Sequence, residues 1–169
     1  GLKFGFSDLD SYFVYKQGDY VLFIGFANVG KTTVIIYLLT ILMAKHKGQK
    51  WIIYASENAT AMIKIIAMEF YMQMHIKSMG ETELKTAKQF IKDHFVFMNI
   101  DEAYSMSSIL SIAEQYHTND AKISGIFIDP YSMLVQENNR DSFAYNNEVQ
   151  NMVHRFKRKT GISPWISIH

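Results

Sequence analysis

At 169 residues the chain is the size of about one domain, on a scale of ~150 residues per domain. Half of it (49%) is hydrophobic and only 20% is charged, which excludes a disordered tail, and 17 Lys+Arg against 16 Asp+Glu leave +1, which excludes holding nucleic acid by bulk positive charge. The absence of cysteine excludes a disulfide framework, a thiolate metal site and a cysteine nucleophile. Residues 1–17 form a lead-in segment. Tyr20–Ile24 (YVLFI) is a short apolar run between Gly18-Asp19 and Gly25, the pattern of a buried strand. Val34–Lys45 fits a buried helix that stops at His46, Lys47 and Gly48. Its apolar part, Val34–Ala44, runs about eleven residues where a membrane span needs ~20. The N-terminus also lacks the charged-then-apolar order of a signal peptide, so the expectation is a soluble cytoplasmic domain with no membrane partner.

Trp51–Ala55 (WIIYA) reads as a second buried strand. Ala59–Met79 is long, Met-rich and free of Gly and Pro, which predicts one helix, and Glu83–Asp93 predicts another. His94–Ile100 (HFVFMNI) reads as a strand. Ser107–His117 reads as a helix with Ile109, Ile112, Ala113 and Tyr116 on one face. Ile123–Ile128 is a strand, Phe143–Thr160 a helix with Phe143, Val149, Met152, Val153 and Phe156 inward, and Trp165–Ile168 a last strand. Strands alternate with helices and are continuously apolar. That pattern predicts an α/β fold, a mostly parallel sheet flanked by helices on both faces.

Between the first strand and the following helix stands Gly25-Phe26-Ala27-Asn28-Val29-Gly30-Lys31-Thr32-Thr33. It meets every fixed position of G-x-x-x-x-G-K-[ST] in the strand-to-helix setting that motif requires. Glycines let the backbone N–H groups turn toward phosphate oxygens, and the helix that follows adds its N-terminal partial positive charge. Lys31 then reaches the β- and γ-phosphates and the Thr32 hydroxyl can ligate Mg²⁺. The loop, Gly25 to Thr33, is therefore read as the binding site for a nucleoside triphosphate.

Ile126-Phe127-Ile128-Asp129 is an apolar strand ending in an acid. A carboxylate at a strand's C-terminal edge faces the crevice of an open α/β sheet, where Asp129 could hold Mg²⁺ through a water opposite Thr32; a turn-forming Asp before Pro130 is the plain alternative. Glu57, after the second strand, could polarise an attacking water, or could cap the helix near Thr60, or simply be solvated. His169, after the last strand, could hydrogen-bond a γ-phosphate or be an unremarkable terminal residue. Gln136–Asn147 (QENNRDSFAYNN) is the one candidate nucleic-acid loop, with Arg140 for a phosphate and Asn138 and Asn139 as neutral donors, or else a solvated connection. Arg155, Lys157, Arg158 and Lys159 form a basic helix end that a favourable dipole and solvation explain without DNA.

Taken in order, GFANVGKTT, YASEN, IFIDPYSML, a helix ending KRKTG and then WISIH resemble the RecA-like motor domain of DnaB/Twinkle-type hexameric replicative helicases, with the phage and mitochondrial members most alike. Gly5-Phe6-Ser7-Asp8-Leu9-Asp10 and Gln17-Gly18-Asp19 resemble that family's lead-in. The similarity covers nearly the whole chain, although only the phosphate loop is specific by itself. The resemblance implies an ATP- and Mg²⁺-dependent helicase that moves on single-stranded DNA as a homo-oligomeric, hexameric ring. It implies Lys31 and Thr32 on phosphate and Mg²⁺, Asp129 on Mg²⁺, Glu57 as the catalytic carboxylate and His169 as a γ-phosphate sensor. The family's motor continues past the sensor strand to further DNA loops and an arginine finger, so the chain is expected to be one RecA-like ATPase domain, residues 1–169, incomplete at its C-terminus and weakly active or inactive alone. A RecA/RadA/KaiC-like ATPase and a catalytically silent nucleotide-binding module remain as alternatives.

Overall fold

A computed structural model describes residues 1–137 and 141–169. Five strands, β1 (Val21–Ile24), β2 (Lys50–Ala55), β3 (Phe95–Phe97), β4 (Ile123–Asp129) and β5 (Ser163–Ile168), form one sheet in the order β1-β5-β4-β2-β3, every neighbouring pair parallel. The helices are α1 (Ser7–Tyr12), α2 (Lys31–Lys45), α3 (Thr60–Met72), α4 (Glu81–His94), α5 (Met106–Asn119) and α6 (Ser142–Thr160). None of the described helices is long and apolar enough to cross a membrane.

The continuously apolar strands divide their side chains between two cores, as a pleat must when both faces are covered. Trp51, Ile53, Phe127 and Trp165 join α2, α3 and α4 on one face. Ile52, Ile126, Ile128 and Ile166 join α5 and α6 on the other. The first core centres on Trp51 and Trp165, both fully buried, with ring centroids 5.0 Å apart. Gly125 pairs with Trp51 in the β2–β4 register, and the indole lies where a Cβ on Gly125 would stand.

Residues 1–17 pack into this first core. Phe4 and Tyr15 are buried, Leu2 bridges antiparallel to Tyr15, and the Asp10 carboxylate accepts from the backbone N–H of Phe4 and Gly5 at 2.7 and 2.8 Å. The Tyr15 hydroxyl reaches Ser163 Oγ at 2.8 Å, and Gln17 Nε2 donates to the carbonyls of Ser124 and Gly161.

Several expected boundaries move. Helix α2 begins at Lys31, three residues before the apolar run that signals it, since the polar Lys31–Thr33 already take helical geometry. The long Met-rich helix ends at Met72, where Gln73 adopts a left-handed conformation (φ 54°, ψ 37°), and a short 3-10 turn, Ile76–Ser78, follows. The expected strand 94–100 shrinks to Phe95–Phe97. His94 stays in α4 and donates from Nδ1 to the Gln49 carbonyl at 2.7 Å, while Asn99 turns the chain by accepting from the Asp101 N–H. Strand β1 is not buried: at the sheet's edge, Leu22 and Ile24 are exposed. Phe143, expected inward, is 72% exposed in the first turn of α6, and Tyr116 and Val34 are exposed as well. Residues 142–147, expected within a polar loop, belong to α6.

Candidate nucleotide site

Parallel register brings the separate sequence signals to one edge. Ile24 pairs with Ile168, which sets Gly25 beside His169; Ile128 pairs with Ile166, which sets Asp129 beside Ser167; Ala55 pairs with Asp129, which sets Ser56 and Glu57 just beyond. All lie at the C-terminal ends of parallel strands, where open α/β sheets hold ligands. Lys31, Thr32, Glu57, Asp129 and His169 line a single cleft of about 260 Å³, together with Asn28, Gly30, Thr33 and Asn58.

The loop between β1 and α2 turns through two left-handed residues, Asn28 (φ 60°) and Gly30 (φ 85°). No atom stands within 4 Å of a Cβ on Gly30, so the demand there is conformational. At Gly25, by contrast, a Cβ would press on the Lys31 stem at 3.3 Å. Helix α2 starts with no side-chain cap and no acid in its first turn, so its leading N–H groups and its partial positive charge stay available to an anion.

Lys31 folds over the loop. Its ammonium donates to the carbonyls of Gly25 and Phe26 at 2.7 and 2.6 Å and to His169 Nδ1 at 3.0 Å. An ammonium has only protons to offer, so Nδ1 is the acceptor and the neutral ring carries its proton on Nε2. That nitrogen faces Glu57 Oε2 at 3.3 Å. Glu57 does not cap α3, whose N-cap Ala59 has no side-chain hydrogen bond; its side chain is 46% exposed toward the cleft.

Asp129 is 2% exposed. One carboxylate oxygen accepts from the Thr32 hydroxyl and the other from the Ser167 hydroxyl, and the Asp129 carbonyl accepts from the Ser56 N–H at 3.0 Å. Sequence reasoning misses Ser167 and Ser56. The signal for Ser167 lies in the alternation of WISIH, a hydroxyl amid four apolar or aromatic positions of a buried strand. Among the described residues no group of three or more His, Asp or Glu could hold a metal ion by itself. Thr32 and Asp129 supply two hard oxygen donors side by side, a set that suits Mg²⁺ completed by water and phosphate oxygens.

The other expected contacts fall elsewhere. Asn138, Asn139 and Arg140 lie outside the described residues. Glu137, just before them, accepts from Ser105 Oγ at 2.7 Å and from Ser107 Oγ, and these hydroxyls, Ser107 first, hold its carboxyl below the usual range. In the basic end of α6, Lys159 pairs with Glu114 of α5 at 2.5 Å, in keeping with a solvated, locally compensated helix end.

No family model matches the chain, and no curated protein matches it. Among solved structures, it superposes on an isolated ATPase domain with a TM-score of 0.72 over 99% of its own length, at 15% identity. A DnaB-like replicative helicase, solved in a study of its interactions with primase, superposes with a TM-score of 0.67, again over 99% of this chain and at 15% identity. The fold is that of a DnaB-type ATPase domain. The chain spans 63% of the first structure and 43% of the second. The DnaB-type fold thus accounts for the whole chain, with the cleft at its C-terminal sheet edge.

Proposed function

We propose that this chain is the ATP-binding motor domain of a replicative DNA helicase that works as a ring on single-stranded DNA. What carries the reading is the meeting of Lys31, Thr32, Glu57, Asp129 and His169 in one cleft of a DnaB-type fold. In this account the Gly25–Thr33 backbone and the N-terminus of α2 cradle the phosphates of ATP. Lys31 leaves the carbonyls of Gly25 and Phe26 for the β- and γ-phosphates. Thr32 and Asp129 would hold Mg²⁺, which when bound supplies charge neutralisation across the phosphates. Ser167 fixes the carboxylate of Asp129 from behind.

Glu57 accepts a proton from the attacking water and orients it toward the γ-phosphorus. His169 is shared between Lys31 and Glu57, so its partners change when Lys31 turns to phosphate. That is the physical basis for a sensor role. An arginine from a neighbouring subunit would complete the site. Such fingers are worth about 10³–10⁵ in rate, so the isolated chain is expected to turn over ATP slowly or not at all.

The test is strand displacement on forked DNA by the protein in its natural full length. ATP-dependent unwinding, abolished in Lys31→Ala, is expected. Strand exchange without unwinding would instead place the fold in recombination, and ATP binding without hydrolysis in the presence of DNA would mark a silent module.

A further inference from the structure

At the sheet edge opposite β1, the edge strand β3, α3 and α4 enclose a second and larger cleft of about 520 Å³. Its floor is apolar: Met68 of α3 and Phe95 and Phe97 of β3, with Ile91 of α4 beside them. Its rim is cationic. Lys64 rises from α3 with its ammonium 5.1 Å above the Phe97 ring, while Lys88 and Lys92, one helical turn apart, stand exposed on α4. None of the three lysines makes an ion pair among the described residues, whereas Lys50 and Lys159 both do. Lys85 extends the same stripe toward the start of α4. In a chain whose total charge is +1, three uncompensated ammonium groups around one apolar trough are a local excess.

We propose that this groove is a docking site for an acidic peptide segment that carries large apolar side chains. The occupant follows from complementarity. The apolar floor calls for Leu- or Phe-sized groups, and the unpaired rim calls for carboxylates spaced on either side of them. Nucleic acid fits less well. Phe95 is buried, the Phe97 face is covered by Lys64, and so neither ring is open for a base to stack on. The site lies away from the nucleotide cleft and does not depend on the reading of it.

The experiment is fluorescence anisotropy of the full chain with a labelled peptide of about 14 residues alternating Glu or Asp with Leu or Phe. Saturable binding is expected, weakened at least about tenfold in Lys88→Glu/Lys92→Glu. A similar loss is expected when the peptide's acids become Gln and Asn, or its apolar residues Ser. Both lysines are exposed on a helix, so far-UV circular dichroism and ATP binding should be unchanged in the double variant. Equal binding by wild type and double variant would overturn the proposal, as would full binding of the Glu–Ser peptide, which would reduce the site to charge alone. So would a groove that ignores the peptide but, in a lysine-dependent way, binds oligothymidylate or a second copy of the chain in sedimentation velocity.

Discussion

Removing the Lys31 ammonium takes away the charge that Gly25, Phe26 and His169 hold over the loop. Charge-assisted bonds of this kind are worth about 1.5–3 kcal/mol, so Lys31→Ala should weaken binding of a fluorescent ATP analogue by roughly ten- to a hundredfold while leaving the melting temperature nearly unchanged. Ser167→Ala has a different signature. It strips one partner from a buried carboxylate, at about 1–3 kcal/mol of stability, and should raise the Mg²⁺ concentration needed for hydrolysis more than the ATP concentration. A urea titration paired with a Mg²⁺ titration separates the two effects. The loop is legible in the sequence because its parts are contiguous and its geometry is encoded by residue type: Gly30 sits at φ 85°, which a Cβ disfavours. Ser167 is not legible in the same way. Its partner Asp129 is 38 residues away in sequence, and only the β4–β5 register joins them.

At the scale of elements, the apolar runs predict the order of strands and helices and miss the edges of both. Where a run is covered on both faces, as in Trp51–Ala55 and Ile123–Asp129, the reading and the structure coincide. Where an element lies at the rim of the sheet, composition misleads: β1 is apolar but half open, and the apolar letters after Phe97 leave the sheet. The break at Gln73 has no Gly or Pro to announce it, since it is a left-handed cap imposed by the packing that follows. Gly125 shows the converse, a residue whose role is invisible until the sheet is assembled. Because the Trp51 indole occupies its Cβ position, Gly125→Ala should cost about 1–3 kcal/mol by overpacking, read as a shift of the urea midpoint with unchanged slope.

For the molecule as a whole, topology converts five distant signals into one cleft, and this is why function is more legible than its supporting shell. Motif types mark their own chemistry, whereas hydroxyl struts and lead-in packing need the third dimension. The lead-in also supplies a pH response. Burial pushes the Tyr15 phenol up from 10.0 to about 12, against the opposing bond from Ser163. A raised pKa means that the neutral phenol stabilises the fold fully below pH 10 and that this stability is lost as pH climbs toward about 12. Thermal melts should therefore fall between pH 10 and about 12, and less steeply in Tyr15→Phe, which keeps the ring against Trp51 and Trp165 and removes the proton. An identical slope in the variant would assign the loss to other tyrosines. The central claim is that this cleft drives ATP hydrolysis in the service of DNA, and steady-state hydrolysis by the full-length protein with and without single-stranded DNA, wild type against Glu57→Gln, tests it most directly. The account predicts DNA-stimulated turnover that falls by about 10²–10⁴ in Glu57→Gln with ATP binding retained; turnover indifferent to DNA, or undiminished in Glu57→Gln, would contradict it.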